Sequence, residues 1–180
     1  MSIPRKPSKA RLIFSVMGIN EKVLQEAIGL LRKHFGPTST ESELLPFDRT
    51  TYYEPEMGKE LVRRFVAFQD LIDQHRLPQI KLWSNELEKR LGSQTGRIVN
   101  LDPGYICAER LVLATGKNFT HRIYLGSGIY ADLTLMFFKK SFRPMEWTYP
   151  DYADGSVISF MNQVRSDYMI QLQSEEGNEC

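Results

Sequence analysis

The sequence predicts an α+β fold: a two-layer, ferredoxin-like sheet of split βαβ type, extended by a helix, a β-hairpin and a C-terminal helix. Three observations carry this. Strand-length apolar runs alternate with helical periodicities in the order strand, helix, strand, strand, helix, strand, once the β-prone 50–53 stretch is set aside as an insertion. A Gly126-Ser127-Gly128 turn separates two further β-prone runs. A last stretch repeats apolar residues at three- and four-residue steps.

The first strand is read over 9–17, dense in Leu12, Ile13, Phe14 and Val16, and Gly18 breaks it. Asn20 is the N-cap of the next helix, whose buried stripe is Val23, Leu24, Ala27, Ile28 and Leu31. Gly36-Pro37 stops it. A strand over 41–47 is interrupted near Pro46, and 62–68 forms another, rich in Phe65, Val66 and Phe68. Pro78 suits the first turn of a helix that continues through Ile80, Trp83, Leu87 and Leu91 to Gly92. After a short strand over 97–101, Asp102-Pro103 reads as a helix start, with Asp as N-cap and Pro at the first helical position. Cys107, Ala108, Leu111 and Val112 would be its buried stripe and Gly116 its end.

The hairpin is read over 122–125 and 129–137. On its second strand Ile129, Ala131, Leu133, Leu135 and Phe137 share one face, and Tyr130, Asp132 and Thr134 the other. The 142–149 stretch is aromatic and irregular, and Val157, Phe160, Met161, Val164 and Tyr168 define the final helix. The chain reads as one domain over 1–180, with tails at 1–8 and 174–180.

Composition narrows the function classes. The 180 residues hold 23 Lys+Arg against 22 Asp+Glu, a net charge of +1, which argues against a generic nucleic-acid coat. With 42% hydrophobic and 25% charged residues the chain is globular in type. No apolar run is long enough for a membrane span, and the two cysteines, Cys107 and the terminal Cys180, make a poor disulfide pair. A reducing cytoplasm and no membrane partner are expected.

Several motifs are missing. Gly116-Lys117 suggests a P-loop, but Leu111 stands where the first glycine belongs and Asn118 where a Ser or Thr would hold magnesium. The three histidines, His34, His75 and His121, lie on separate elements without metal-ligand spacing. No cofactor is expected, although a carboxylate-held magnesium stays compatible with the sequence.

Four polar and aromatic segments remain. Asp102 at a helix start could cap that helix or help seat an anion. His121 has the chemistry of a general acid or base, or of a strand-edge donor. Arg122 and Asp132 would face each other across the hairpin, as a structural pair or as an orienter of a phosphate or carboxylate. The 146–152 segment, with Trp147, Tyr149, Asp151 and Tyr152, and the 52–58 segment, with Tyr53 and Glu54, would wall a pocket if both loops share a side of the sheet.

The same stretches carry a family resemblance. NLDPGY at 100–105, LVLAT at 111–115, HRIYLGSGIY at 121–130, EWTYPDY at 146–152, YYEPEMG at 52–58 and the Ser-Asn-Glu-Leu-Glu core of 81–91 look like the bacterial domain of unknown function family numbered 4416. The resemblance runs from about residue 9 to 172. It implies a single-domain cytoplasmic protein with no established activity or cofactor. Some members carry a loose GTP-binding label, but this chain has neither a P-loop nor an Asn-Lys-x-Asp segment.

Two functions follow as expectations. In the first, a mixed-charge pocket takes a small anionic or nucleotide-like ligand, with hydrolytic or phosphoryl-directed chemistry. His121, Asp102, Asp132 and Asp151 would be its catalytic groups, and Arg122, Glu54, Tyr53, Tyr149 and Tyr130 its ligand contacts. In the second, the chain is a non-enzymatic adaptor acting through a protein–protein interface, a homodimer being one form. RNA binding ranks last, because the chain lacks an RNP-type segment.

Overall fold

The computed structural model describes residues 1–92 and 96–177. At its centre is β1 (Ala10–Gly18), buried along its whole length. That burial explains its weak alternation, since both of its faces are covered. α1 (Glu21–Phe35) follows, its Asn20 cap accepting the Val23 N–H at 3.0 Å. β2 (Thr38–Glu41) and β3 (Leu45–Pro46) precede a short α2 (Glu54–Met57). β4 (Val62–Ile72), α3 (Leu77–Leu91), β5 (Val99–Ile106) and β6 (Arg110–Thr115) come next. β7 (Arg122–Gly126), β8 (Ile129–Phe138), β9 (Ser141–Pro144) and α4 (Gly155–Gly177) complete the chain. The expected tail from 174 thus begins as helix, and 178–180 lie outside the described residues.

The strands form one antiparallel sheet in the order β2-β4-β1-β5-β6-β8-β7, with β3 added to β4 and β9 to β8. Alternation along β1 divides the core in two. Leu12, Phe14 and Val16 pack under α1 and α3, with Leu24, Ile28, Leu31, Ile80 and Leu87. Ile13, with Phe65 and Ala67 of β4, packs under α4 through Val157, Met161 and Val164. Helices therefore cover both faces, and α4 adds a third layer to the two that the sequence predicts.

The helix expected from Asp102 is a strand–turn–strand. Asp102 and Pro103 lie inside β5, where Ser15 pairs with Asp102 and Phe14 with Pro103. A proline is normally excluded from a central strand because it cannot donate to the ladder. Here β5 pairs with β6 only from Gly104↔Leu113 to Ile106↔Leu111, so the strand is locally an edge at Pro103. Gly104 marks where the two strands close. A Cβ there would sit 2.5 Å from the Val112 carbonyl oxygen and 2.7 Å from Leu113 Cδ2.

The hairpin forms as expected, with one correction to its faces. A register shift between Leu111 and Val112 pairs Leu133 with Val112 and Leu135 with Leu111. Ile129, Ala131 and Leu133 therefore pack toward α3 and Leu135 and Phe137 toward α4, so they do not share one face.

Two glycine substitutions test this packing. Gly104→Ala is expected to cost about 1–3 kcal/mol, because the clash is with backbone that cannot swing away. Gly29→Ala in α1, where nothing lies within 4 Å of the added carbon, should stabilise by about 0.5–1 kcal/mol. Urea denaturation of both variants checks the opposite signs.

Candidate functional site

Where β5 parts from β6, Leu101 turns its backbone groups toward α3, and among the described residues no strand meets them. A buried, unpaired peptide group is costly. Two side chains of α3 supply the missing partners. The Glu88 carboxylate accepts the Leu101 N–H at 2.7 Å, and Lys81 Nζ donates to the Leu101 carbonyl at 2.9 Å. Both are buried, although their residue types belong at a surface.

These two charges organise their neighbours. Lys81 also donates to Asp102 at 3.0 Å, and Asn100 Nδ2 donates to the other Asp102 oxygen at 2.6 Å. Arg97 donates to Glu88 at 3.1 Å, to Asn100 Oδ1 at 2.8 Å and to Glu56 at 2.7 Å. Burial alone would raise the Asp102 carboxyl, but the Lys81 ammonium and the Asn100 amide outweigh it and hold the group below its ordinary value. Burial wins at Glu88, whose carboxyl is pushed up despite Lys81 and Arg97.

A cavity of about 840 Å³ opens beside this cluster. Asn100, Asp102 and the end of β6 line its base, with Asp132 of β8 beyond them. Lys81, Asn85 and Glu88 reach it from α3 through the parted strands. One wall is the loop before α2, with Tyr52 and Tyr53, and the other is the 146–152 loop, with Tyr149, Asp151 and Tyr152.

Each wall is tied to the sheet by a cation. Arg63 of β4 pairs with Asp151 and lies 4.4 Å from the Phe47 ring centroid and 5.6 Å from that of Tyr152. Arg122 of β7 donates to Asp132 at 2.8 Å, to Tyr149 Oη at 2.6 Å and to the Lys117 carbonyl at 3.0 Å. Lys117 Nζ donates to Tyr52 Oη at 2.6 Å and lies 4.3 Å from that ring. That bond holds the Tyr52 phenol below its ordinary value. Burial raises the phenols of Tyr53 and Tyr149.

The sequence-derived candidates are only partly brought together. Asp102, Asp132, Asp151, Tyr53 and Tyr149 line the cavity. His121 and Arg122 stand behind Asp132 and are not in the lining. His121 Nε2 lies 3.3 Å from Asp132, and its ring stacks on Trp147 at 5.0 Å and 12°. Glu54 is on α2 and Tyr130 packs on Tyr124 at 5.2 Å, both away from the lining. Asp102 is not a helix cap, because no helix starts there; its carboxylate answers Lys81.

Arg63, Lys81, Glu88, Arg97 and Lys117 were missed. Lys81, Ser84, Asn85 and Glu88 do fall at helical spacing beside the apolar stripe of α3, a polar seam on a buried face. Arg63 falls in step with Phe65 and Ala67 on the inward side of β4. Among the described residues, no group of three or more His, Cys, Asp or Glu is placed to hold a metal ion.

Two measurements test the network. Lys81→Met removes a partner from both Leu101 and Asp102 and should cost about 2–3 kcal/mol by urea denaturation. The second uses pH. The Asp102 carboxyl titrates lower in the folded chain than in the unfolded one. Its contribution is complete above the unfolded value of about 3.9 and is lost as pH falls through the folded value. Asp102→Asn should therefore flatten the acid limb of the stability profile below about pH 4. Glu88 works in the opposite direction, because its raised carboxyl takes up a proton in the folded chain first and so gains stability on acidification.

No curated protein and no solved structure matches the chain. A family profile does, over residues 8–168, which takes in every strand, α1 to α3 and most of α4. The chain belongs to the family described as the domain of unknown function DUF4416.

Proposed function

We propose that the cavity binds a small organic anion with a planar ring, of nucleotide-like chemistry. Lys117 carries the reading. It is exposed, it pairs with no carboxylate among the described residues, and it stands at a cavity walled by Tyr52, Tyr53 and Tyr149. An ammonium with a free charge suits a phosphate or carboxylate, and phenol faces suit a ring. The volume falls within the range of small-molecule sites, roughly 300–1,000 Å³. Each lining carboxylate already has a cation: Lys81 for Asp102, Arg63 for Asp151, Arg97 for Glu88 and Arg122 for Asp132. The remaining charge preference of the walls is for an anion.

Binding has more support than hydrolytic or phosphoryl-directed chemistry. His121, the one imidazole near the cavity, has Asp132 between it and the open space. We also infer that β1, α1, β2, β4, α3 and β5 form a ferredoxin-like split βαβ unit. Its support is the order β2-β4-β1-β5, the antiparallel pairs and the packing of α1 and α3 on one face. A cytoplasmic setting belongs to the same reading, supported by the buried, free thiol of Cys107. Among the described residues no helix is long and apolar enough to cross a membrane.

A thermal-shift series with adenosine, adenosine monophosphate and inorganic phosphate tests the site. The monophosphate should stabilise most, by about 2.7 kcal/mol at 100 times its dissociation constant. Lys117→Ala should weaken it about tenfold, the worth of one charge-assisted hydrogen bond, while loss of the exposed Tyr52 contact costs the free protein at most about 1 kcal/mol. Equal binding by wild type and variant would remove the reading.

A further inference from the structure

The cavity opens where β6 ends, at Thr115 and Lys117. At the other end of β6 one patch of the sheet is left bare. Leu135, Phe137 and Phe142 take the α4 side there, so Met136 and Phe138 of β8 lie on the opposite face. Packing against Leu77 of α3 reaches Val112 and Leu133 on that face and stops short of these two, which stand 46% and 60% exposed. Met136 is flanked in register by two cations, Arg110 on β6 and Arg143 on β9. Phe138 leads into the turn Lys139-Lys140 and pairs across it with Ser141. Lys139, Lys140 and Arg143 are exposed and pair with no carboxylate among the described residues, and Arg110 has only Glu109, at 3.7 Å. The exposed leading segment, with Arg5 and Lys9, enters β1 at this same end, since Arg11 is in register with Ile106 and Ile106 with Leu111.

The turn is an unfavourable place for two lysines. Both have positive φ, 48° at Lys139 and 66° at Lys140. That is the backbone of a two-residue type I′ hairpin turn, which Asn-Gly supplies without strain. A long side chain there costs stability at each position, so the fold does not explain the lysines and their charge does. We propose that this end of the sheet docks on an anionic membrane surface. Arg110, Lys139, Lys140 and Arg143 meet the lipid headgroups, and Met136 and Phe138 enter the boundary between headgroups and acyl chains. Cations bordering bare apolar side chains suit such an interface, because each group finds its own layer of lipid. The cations run along the sheet end from β1 to β9, four strand spacings or roughly 19 Å, which matches a plane of headgroups. An acidic peptide would answer the cations but leave Met136 and Phe138 against charge. Phe138 is the one exposed ring of the patch, so an RNA strand finds no stacking platform. Such docking needs no spanning helix, and the proposal is independent of the cavity reading.

Flotation of the full chain with lipid vesicles tests it. Vesicles of about 30% phosphatidylglycerol in phosphatidylcholine should carry the wild type, and vesicles of phosphatidylcholine alone should not. Raising salt from about 0.05 to 0.5 M should release it. Lys139→Asn combined with Lys140→Gly gives the turn its preferred residues, so the melting temperature should rise while partitioning falls at least tenfold, at about fivefold per lysine. Phe138→Thr keeps a β-prone residue and every charge, and should weaken partitioning about fivefold without altering its salt dependence. A wild type that floats with neither vesicle, or equally with both, overturns the proposal. So does either variant floating like the wild type. A wild type that ignores the vesicles but binds polyglutamate or a single-stranded RNA assigns the patch to an acidic macromolecule and overturns the proposal as well.

Discussion

The structure turns on the two backbone groups of Leu101. β5 and β6 share only three paired residues, and the N–H and C=O of Leu101, in the middle of a sheet, are left facing a helix. A helix offers no backbone donors or acceptors from its flank, because its own ladder uses them. Only side chains can serve, and a buried N–H and C=O require one acceptor and one donor. Glu88 and Lys81 meet that need, seven residues or two turns apart on α3, which fixes how the helix is rotated against the sheet.

Two opposite charges brought under a sheet must in turn be satisfied. Lys81 is met by Asp102, Asp102 by Asn100, Asn100 by Arg97, and Arg97 by Glu88, which closes the ring. Each gap in a buried polar network costs more than a bond contributes, and here every residue of the ring has a partner, although the Nε of Arg97 is buried without a hydrogen bond. The ring thus explains why this part of a nearly neutral chain is so rich in charge. It also explains the cavity: strands that have parted around long polar side chains cannot close over them, and the space that remains is lined by the same groups.

The elements that local rules govern were legible. Asn20 caps α1, Pro78 lies in the first turn of α3, and Gly126-Ser127-Gly128 turns the hairpin, each through contacts within a few residues. The misreading at Asp102-Pro103 has the same origin. A helix start was the better local answer, and what overrides it is remote: β1 on one side, and on the other a gap that tolerates a residue without an N–H. The site was legible in half. Aromatic and acidic loops are conspicuous in composition, so Tyr53, Tyr149 and Asp151 could be found. Arg63, Lys81 and Arg97 sit inside regular elements, where a charge is ordinarily read as solvated, and only their tertiary partners reveal their burial.

Arg122 joins the edge strand to the cavity wall. Its guanidinium joins the edge strand to Asp132 on β8, to the backbone of Lys117 and to Tyr149 on the cavity wall. The sequence frames the Arg122–Asp132 pair as either structural or ligand-orienting, and the geometry gives it a third role. It holds the 146–152 loop over the cavity by way of Tyr149, while His121 and Trp147 stack behind it. A planar, five-donor cation suits a junction of three acceptors in a way that a lysine would not. The position of the wall is therefore set from β7.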